Sequence, residues 1–161
     1  MTIDPGIATV ISAIVAGIVA IVVAKISKGK NERRILAKVK GNIYKPTSGE
    51  QVPRTIDCEG KASIKDTKFE VTLLLAIETV GLIWPKDAAI IPDDSGRWAA
   101  TIREEGSPDS FSISLWAVTP KGFKEIQAWF DHGRASNDYP GLSMIPGARR
   151  LAAVTGLYLS V

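Results

Sequence analysis

The pattern of apolar and polar residues divides the chain into two parts. Residues 7–24 form a run of 18 residues without a charged side chain. As a helix, such a run spans roughly 27 Å, close to the hydrocarbon thickness of a bilayer. A buried core helix is the alternative, but all sides of the segment are apolar and basic residues follow it at once. The pattern therefore predicts a transmembrane helix over residues 1–27, a linker over residues 28–40 and a folded domain over residues 41–161.

From residue 41 onward, apolar residues recur in short alternating runs between turn-forming residues, which is typical of β-strands. The most apolar of these runs, "KFEVTLLLAIETV", predicts a central strand. In "FSISLWAV", Phe111, Ile113, Leu115 and Ala117 are expected to face inward. The remaining candidate strands are "TIDCEGKASI", "GLIW", "DAAII", "RWAATIRE" and "LAAVTGLYLSV".

One segment of this part has a helical period instead. In "PKGFKEIQAWFDHG", Phe123, Ile126 and Phe130 recur at helical spacing, and Gly133 is expected to end the helix. The loop "RASNDYPGLSMIPGARRL" is expected to follow it. Strands spaced about 10–15 residues apart, with turns between them, predict a mainly β fold of the sandwich type with one short helix.

The residues of the predicted transmembrane helix are sorted by size. Projected at 100° per residue, small residues fall on one side, where Val19 and Val23 intrude, and most β-branched residues fall on the other. Small faces let helix backbones approach closely, so this face favours self-association in the membrane. Chance sorting of residues that are common in membrane helices is the alternative. The predicted packing face consists of Ala8, Ser12, Ala13, Ala16, Gly17, Ala20 and Ala24.

The charges indicate how the protein is oriented. Residues 25–40 carry seven basic side chains and one acidic one, whereas residues 41–161 carry 13 basic and 15 acidic side chains. Lysine and arginine are retained on the cytoplasmic side, so the N-terminus is expected outside and the domain in the cytoplasm, with a single pass through a bacterial inner membrane. The predicted topology signal, which can also contact anionic lipid headgroups, is Lys25, Lys28, Lys30, Arg33, Arg34, Lys38 and Lys40. The slightly acidic domain argues against nucleic-acid binding.

Several stretches resemble bacterial immunoglobulin-like domains. "GNIYKPTSGEQVPRTIDCEGKAS" is similar to the opening of such domains, and "SGRWAATIREEG" to one of their strands. The segment "FDHGRASNDYPGLSMIPGARRLAAVT" resembles the C-terminal part of a bacterial β-sandwich module that accompanies signalling and conflict proteins. The resemblance covers about residues 41–160. It implies an Ig-like β-sandwich with an accessory or recognition role and without catalysis.

The sequence contains no motif that indicates catalysis. P-loop, G-x-G-x-x-G, G-x-S-x-G and H-E-x-x-H patterns do not occur. Cys58 is expected to be a buried thiol in a strand, and a single cysteine and a single histidine far apart predict neither a metal site nor a nucleophile pair. Asp93 and Asp94 are best explained as turn residues in "PDDSG". We therefore expect no enzyme, no cofactor and no metal.

A candidate partner surface consists of Trp84, Tyr139, Arg149 and Arg150. Trp84 precedes a proline outside a clear alternation, so it is the tryptophan least expected in the core. For Tyr139 the alternative is that the ring fixes its loop against the helix. For the two arginines the alternative is a solvated pair.

These features predict a membrane-anchored recognition or effector subunit that self-associates through its transmembrane helix. In the stronger version it is an antiviral defence effector whose clustering disrupts the membrane. The expected partners are membrane lipid, other copies of the chain and a protein. The alternative is a passive anchor or scaffold that holds a cytoplasmic partner at the membrane.

Overall fold

The computed structural model describes residues 32–64 and 70–160 of the chain, with only the backbone of Ala88. The chain divides into two units, residues 1–34 and 35–161, and the fold below is that of the second. The predicted transmembrane helix lies outside the described residues. In the part of the chain that is described, no helix is long and apolar enough to cross a bilayer.

The second unit is mainly β, as predicted. A short helix, α1 (residues 32–38), leads into the first strand, and a longer helix, α2 (Pro120–Ser136), separates the last two strands. The strands are β1 (Val39–Lys45), β2 (Gln51–Val52), β3 (Thr55–Ile64), β4 (Thr72–Thr79), β5 (Leu82–Ile90), β6 (Arg97–Arg103), β7 (Phe111–Val118) and β8 (Ala148–Leu159). They form a three-stranded sheet, β1-β3-β6, and a five-stranded sheet, β2-β8-β7-β4-β5.

The two sheets share one apolar core. Along β3, buried and exposed residues alternate strictly, because one face of the strand packs on the core and the other meets solvent. Ile56 and Cys58 of β3 belong to the same buried cluster as Leu73 and Leu75 of β4. The four residues of β7 that were expected to face inward are buried in this cluster too, so that prediction is confirmed.

The strand β4 is buried on both faces, which explains why its sequence does not alternate. Leu73, Leu75 and Ile77 face the core between the sheets, whereas Leu74 and Ala76 belong to a second cluster with residues of α2. A strand covered on both faces is apolar at every position. The predicted central strand is confirmed, since β4 lies between β7 and β5.

The helix α2 is confirmed, but its predicted end is wrong. Thr119 caps its first turn by accepting a hydrogen bond from the amide of Gly122, and Pro120 occupies the first turn, where its missing N–H costs nothing. The helix continues past Gly133 to Ser136 and is capped by Asn137, whose φ of 54° is left-handed. Asparagine tolerates this conformation, so a glycine is not needed there.

The predicted strands "GLIW" and "DAAII" are parts of a single strand, β5. Its residues 86–88 stand opposite Leu75 alone, because Pro85 pairs with Ala76 and Ala89 with Leu74. This bulge interrupts the alternation and explains why the sequence indicated two shorter strands. The strand is joined to β4 by a tight turn in which Val80 (φ 47°) and Gly81 (φ 79°) are left-handed.

The cysteine lies where the sequence places it. Cys58 is fully buried in β3. Burial raises the pKa of its thiol to about 12, with a smaller contribution from Asp57. A thiol that stays protonated is a small core residue and not a nucleophile.

Candidate functional site

The described part of the domain has a groove of about 660 Å³, which we refer to as the aromatic groove. Its volume lies in the range typical of sites for small molecules and short segments, roughly 300–1,000 Å³. It is lined by Ile77, Thr79, Trp84, Pro85, Lys86, Asp87, Glu104, Glu105, Gly106, Ser107, Pro108, Trp129, Phe130, Arg134 and Tyr139.

The first wall of the aromatic groove is the edge strand β5. Trp84 is half-buried, and its indole N–H donates to the carbonyl of Tyr139 at 3.0 Å. Pro85 follows it, and the bulge begins at Lys86. A bulge re-aims the side chains that it carries, and here Lys86 and Asp87 line the groove.

The second wall consists of the C-terminal half of α2 and the loop after it. The indole N–H of Trp129 donates to the carbonyl of Pro140 at 3.0 Å. Its ring meets the ring of Tyr139 edge to face, with centroids 5.4 Å apart and planes at 65°. A Cβ atom on Gly133 would lie 2.2 Å from the Tyr139 ring, so the tyrosine fits this wall only because position 133 has no side chain.

The third wall is the loop between β6 and β7, which Arg54 holds in place. The Arg54 guanidinium donates to the carbonyl of Gly106 at 2.6 Å, to that of Glu104 at 3.3 Å and to the hydroxyl of Ser107 at 3.3 Å. Glu104 adds a bond within the loop, because its carboxylate accepts the amide of Gly106 at 2.7 Å. The planar guanidinium suits such a cluster of acceptors.

Every charged side chain that lines the aromatic groove has a partner of opposite charge. Lys86 lies 3.4 Å from Glu104, and both are largely buried. Arg134 bonds Asp131 at 2.6 Å and Asp87 at 3.4 Å, and the bond with Asp131 raises the pKa of the guanidinium.

At the rim of the groove, Glu105 lies 2.7 Å from Arg103. The charges that line the aromatic groove are therefore all paired, with one more acidic than basic side chain among them, and its aromatic rings add apolar surface.

The structure brings together two of the four residues of the candidate partner surface. Trp84 and Tyr139 both line the aromatic groove, and the loop at Tyr139 is also fixed against the helix, as the alternative supposed. Arg149 and Arg150 lie on β8 and do not line the groove. Arg149 donates to the carbonyl of Val39, and Arg150 pairs with Glu78 at 2.9 Å.

Other predicted site residues fall in two groups. Arg33, Arg34, Lys38 and Lys40 are described and exposed, the first three on α1 and the last on β1. Lys25, Lys28, Lys30 and the seven residues of the predicted packing face lie outside the described residues.

Several residues of the aromatic groove were not predicted from the sequence. Trp129 was expected in the core, yet it is only half-buried and forms a wall. Arg54 and Glu104 lie 50 positions apart, and only the pairing of β3 with β6 brings them together. Gly133 inside a helical pattern was the available signal, since a glycine there often permits a close approach.

Asp93, the first carboxylate of "PDDSG", has a structural role. Asp93 accepts the amides of Ser95 and Arg97 and the hydroxyl of Ser95, and these bonds lower its pKa. This is the turn that "PDDSG" predicts. Among the described residues, no group of three or more histidines, cysteines or carboxylates could hold a metal ion.

Comparison with known proteins adds no relative. No protein-family model matches the chain, and no curated protein is significantly similar to it.

Proposed function

We propose that the chain is a membrane-anchored recognition protein. In this proposal, residues 1–27 cross a bacterial inner membrane once and associate with other copies through their small face. Residues 41–161 form an Ig-like β-sandwich in the cytoplasm, which binds a protein partner through the aromatic groove. The domain has no catalytic role in this proposal.

The observation that carries the recognition role is the aromatic groove. Two tryptophans and a tyrosine line it and are partly exposed. Tryptophan and tyrosine are the residues that dominate binding energy at protein interfaces. The groove is built by three separate segments that hydrogen bonds hold in fixed positions, so it is formed before any ligand binds.

The membrane role is supported by the sequence of residues 7–40. An uncharged segment long enough to cross a bilayer is followed directly by seven basic residues. The small residues on one face would let helices approach closely. In the stronger version, a bound partner promotes clustering, and the clustered helices disrupt the membrane.

The test is to express the full chain in bacteria and to measure membrane potential, growth and the oligomer size in mild detergent. Gly17→Ile and Ala13→Ile place bulk on the small face, and Val15→Ile and Val22→Ile are matched controls on the opposite face. We expect the first pair to reduce oligomer size and the second pair to leave it unchanged.

The outcomes separate the versions of the proposal. If all four variants have the oligomer size of the wild-type chain, association through the small face is wrong. If oligomers form but expression never changes membrane potential or growth, even with the neighbouring genes present, the effector version fails. The passive anchor or scaffold then remains.

A further inference from the structure

The edge of β5 beside the aromatic groove is closed to another β-strand. The N–H and carbonyl groups of Ile83 are already paired with Leu142, at 2.8 and 2.9 Å. Two residues further along is Pro85, which has no N–H to donate, and the bulge follows it. An extended segment that needs main-chain pairing therefore has no ladder to join here.

The walls of the groove suit a ligand that presents rings and needs few hydrogen bonds. The indole N–H groups of Trp84 and Trp129 are used by the protein's own carbonyls. What these residues offer to a ligand is apolar ring surface. Trp129 and Tyr139 stand at 65° and form a corner, and the half-buried Pro108 adds a saturated ring.

The pairing of the charges in the interior of the groove argues for a neutral ligand there. Lys86 and Glu104 neutralise each other in the interior of the groove, where side chains are mostly shielded from water. A charged group that pairs with Lys86 or Glu104 would leave the other without its partner, which is costly. A segment without charge leaves the pair intact.

We propose that the aromatic groove binds a proline-rich, uncharged segment of a partner protein in the polyproline II conformation. Such a segment has no internal hydrogen bonds, lacks an N–H at each proline and docks on grooves lined by aromatic rings. It is already extended before binding, so it loses little conformational entropy. This inference rests on the proposed recognition function and names the chemistry of its partner.

The test uses the full chain in lipid nanodiscs and a capped ten-residue peptide with repeated Pro-Pro-x-Pro sequence and no charged residue. Binding is followed by tryptophan fluorescence, since Trp84 and Trp129 are in the groove. The comparison peptides replace each proline with alanine or add two charges of either sign. We expect saturable 1:1 binding, at least about tenfold tighter than that of the alanine peptide.

A matched pair of variants locates the binding site. Ser107→Trp places a large ring at the exposed rim of the groove, and Ser143→Trp places one on an exposed loop residue that does not line it. We expect Ser107→Trp to weaken binding at least about tenfold and Ser143→Trp to change it less than about twofold. Trp129→Leu should weaken binding as Ser107→Trp does, without adding bulk.

Several results would overturn the inference. A polyproline ligand is excluded if the proline and alanine peptides bind equally, or if Ser107→Trp keeps the wild-type affinity. It is also excluded if only the charged peptides bind, or if only the aromatic probe N-acetyltryptophanamide binds. The proposed membrane recognition function would stand if clustering persists. If the peptide binds but the small-face variants do not alter clustering, the association through the helix fails instead.

Discussion

Replacing Gly133 with alanine tests the contact that shapes the aromatic groove. The added Cβ would lie 2.2 Å from one carbon of the Tyr139 ring and 2.3 Å from the next, whereas ordinary contacts are 3.4 Å or more. The ring or the helix must therefore move by about 1 Å. The movement disturbs the edge-to-face contact with Trp129 and the wall that both rings form.

The size of the effect follows from two opposing terms. Alanine is more favourable than glycine in a helix interior by about 1 kcal/mol. Forcing a methyl group into a packed contact costs about 1–3 kcal/mol. Gly133→Ala should therefore lower the free energy of unfolding by about 0–2 kcal/mol when Tyr139 is present. In a Tyr139→Ala background the clash is absent, and Gly133→Ala should raise the free energy of unfolding by about 1 kcal/mol.

The assay is a double-mutant cycle on the full chain in mild detergent, with urea unfolding followed by tryptophan fluorescence. The expected coupling between positions 133 and 139 is about 1–3 kcal/mol. Ala128→Gly, at an exposed helical position, is the control and should cost about 1 kcal/mol in both backgrounds. A coupling below about 0.5 kcal/mol would refute the contact, because independent sites add to within that amount.

Four further changes test other parts of the structure. Arg54→Ala removes the donor that holds the β6–β7 loop, so unfolding should become about 1–2 kcal/mol easier and the Gly106 amide should exchange hydrogen faster, as measured by mass spectrometry. Gly60→Ala would place a Cβ 2.1 Å from the Asn42 carbonyl on the neighbouring strand, and since main chain cannot yield easily, we expect a loss of at least about 2 kcal/mol in urea unfolding. Val80→Asn relieves a β-branched residue at φ 47° and should raise the melting midpoint by stabilising the turn by about 1 kcal/mol. Burial raises the pKa of the Cys58 thiol to about 12, so as the pH rises above about 9 the thiol loses its proton in the unfolded chain but not in the folded one. The free energy of unfolding should therefore fall with pH, by up to about 1.4 kcal/mol per pH unit more than it does in Cys58→Ala.

The sequence predicts the fold best where one face of a strand packs on the core and the other face meets solvent. Ile56 and Cys58 alternate with the exposed Asp57 and Glu59 because β3 packs on the core through one face, and the pattern showed this directly. The apolar run of β4 likewise indicated an interior strand. Its burial under α2 could not be predicted, because an apolar run does not say what covers its second face.

The ends of elements were harder to predict because tertiary contacts decide them. Gly133 has the appearance of a helix end, yet it lies inside α2 and makes room for the Tyr139 ring. The bulge of β5 interrupts the alternation that defines a strand, so the sequence indicated two short strands. In the helix, the local pattern is overridden by packing against the Tyr139 ring.

The candidate site was predicted in part. Trp84 stood out because it precedes a proline outside a clear alternation, and Tyr139 because it lies in the loop "NDYPG"; the structure places both on the aromatic groove. Trp129 was missed because its helical spacing is that of a core residue. Arg149 was predicted as well, but it donates to the Val39 carbonyl and does not line the groove.

The central claim is that a recognition domain is held on the cytoplasmic side of a membrane. Protease protection of the full chain in spheroplasts tests this claim most directly. The chain carries a C-terminal epitope, and carbonate-washed membranes are analysed after external protease treatment. The account predicts that the epitope stays with the membrane and is digested only after the spheroplasts are lysed. Release of the chain by carbonate, or digestion of the epitope in intact spheroplasts, would contradict it.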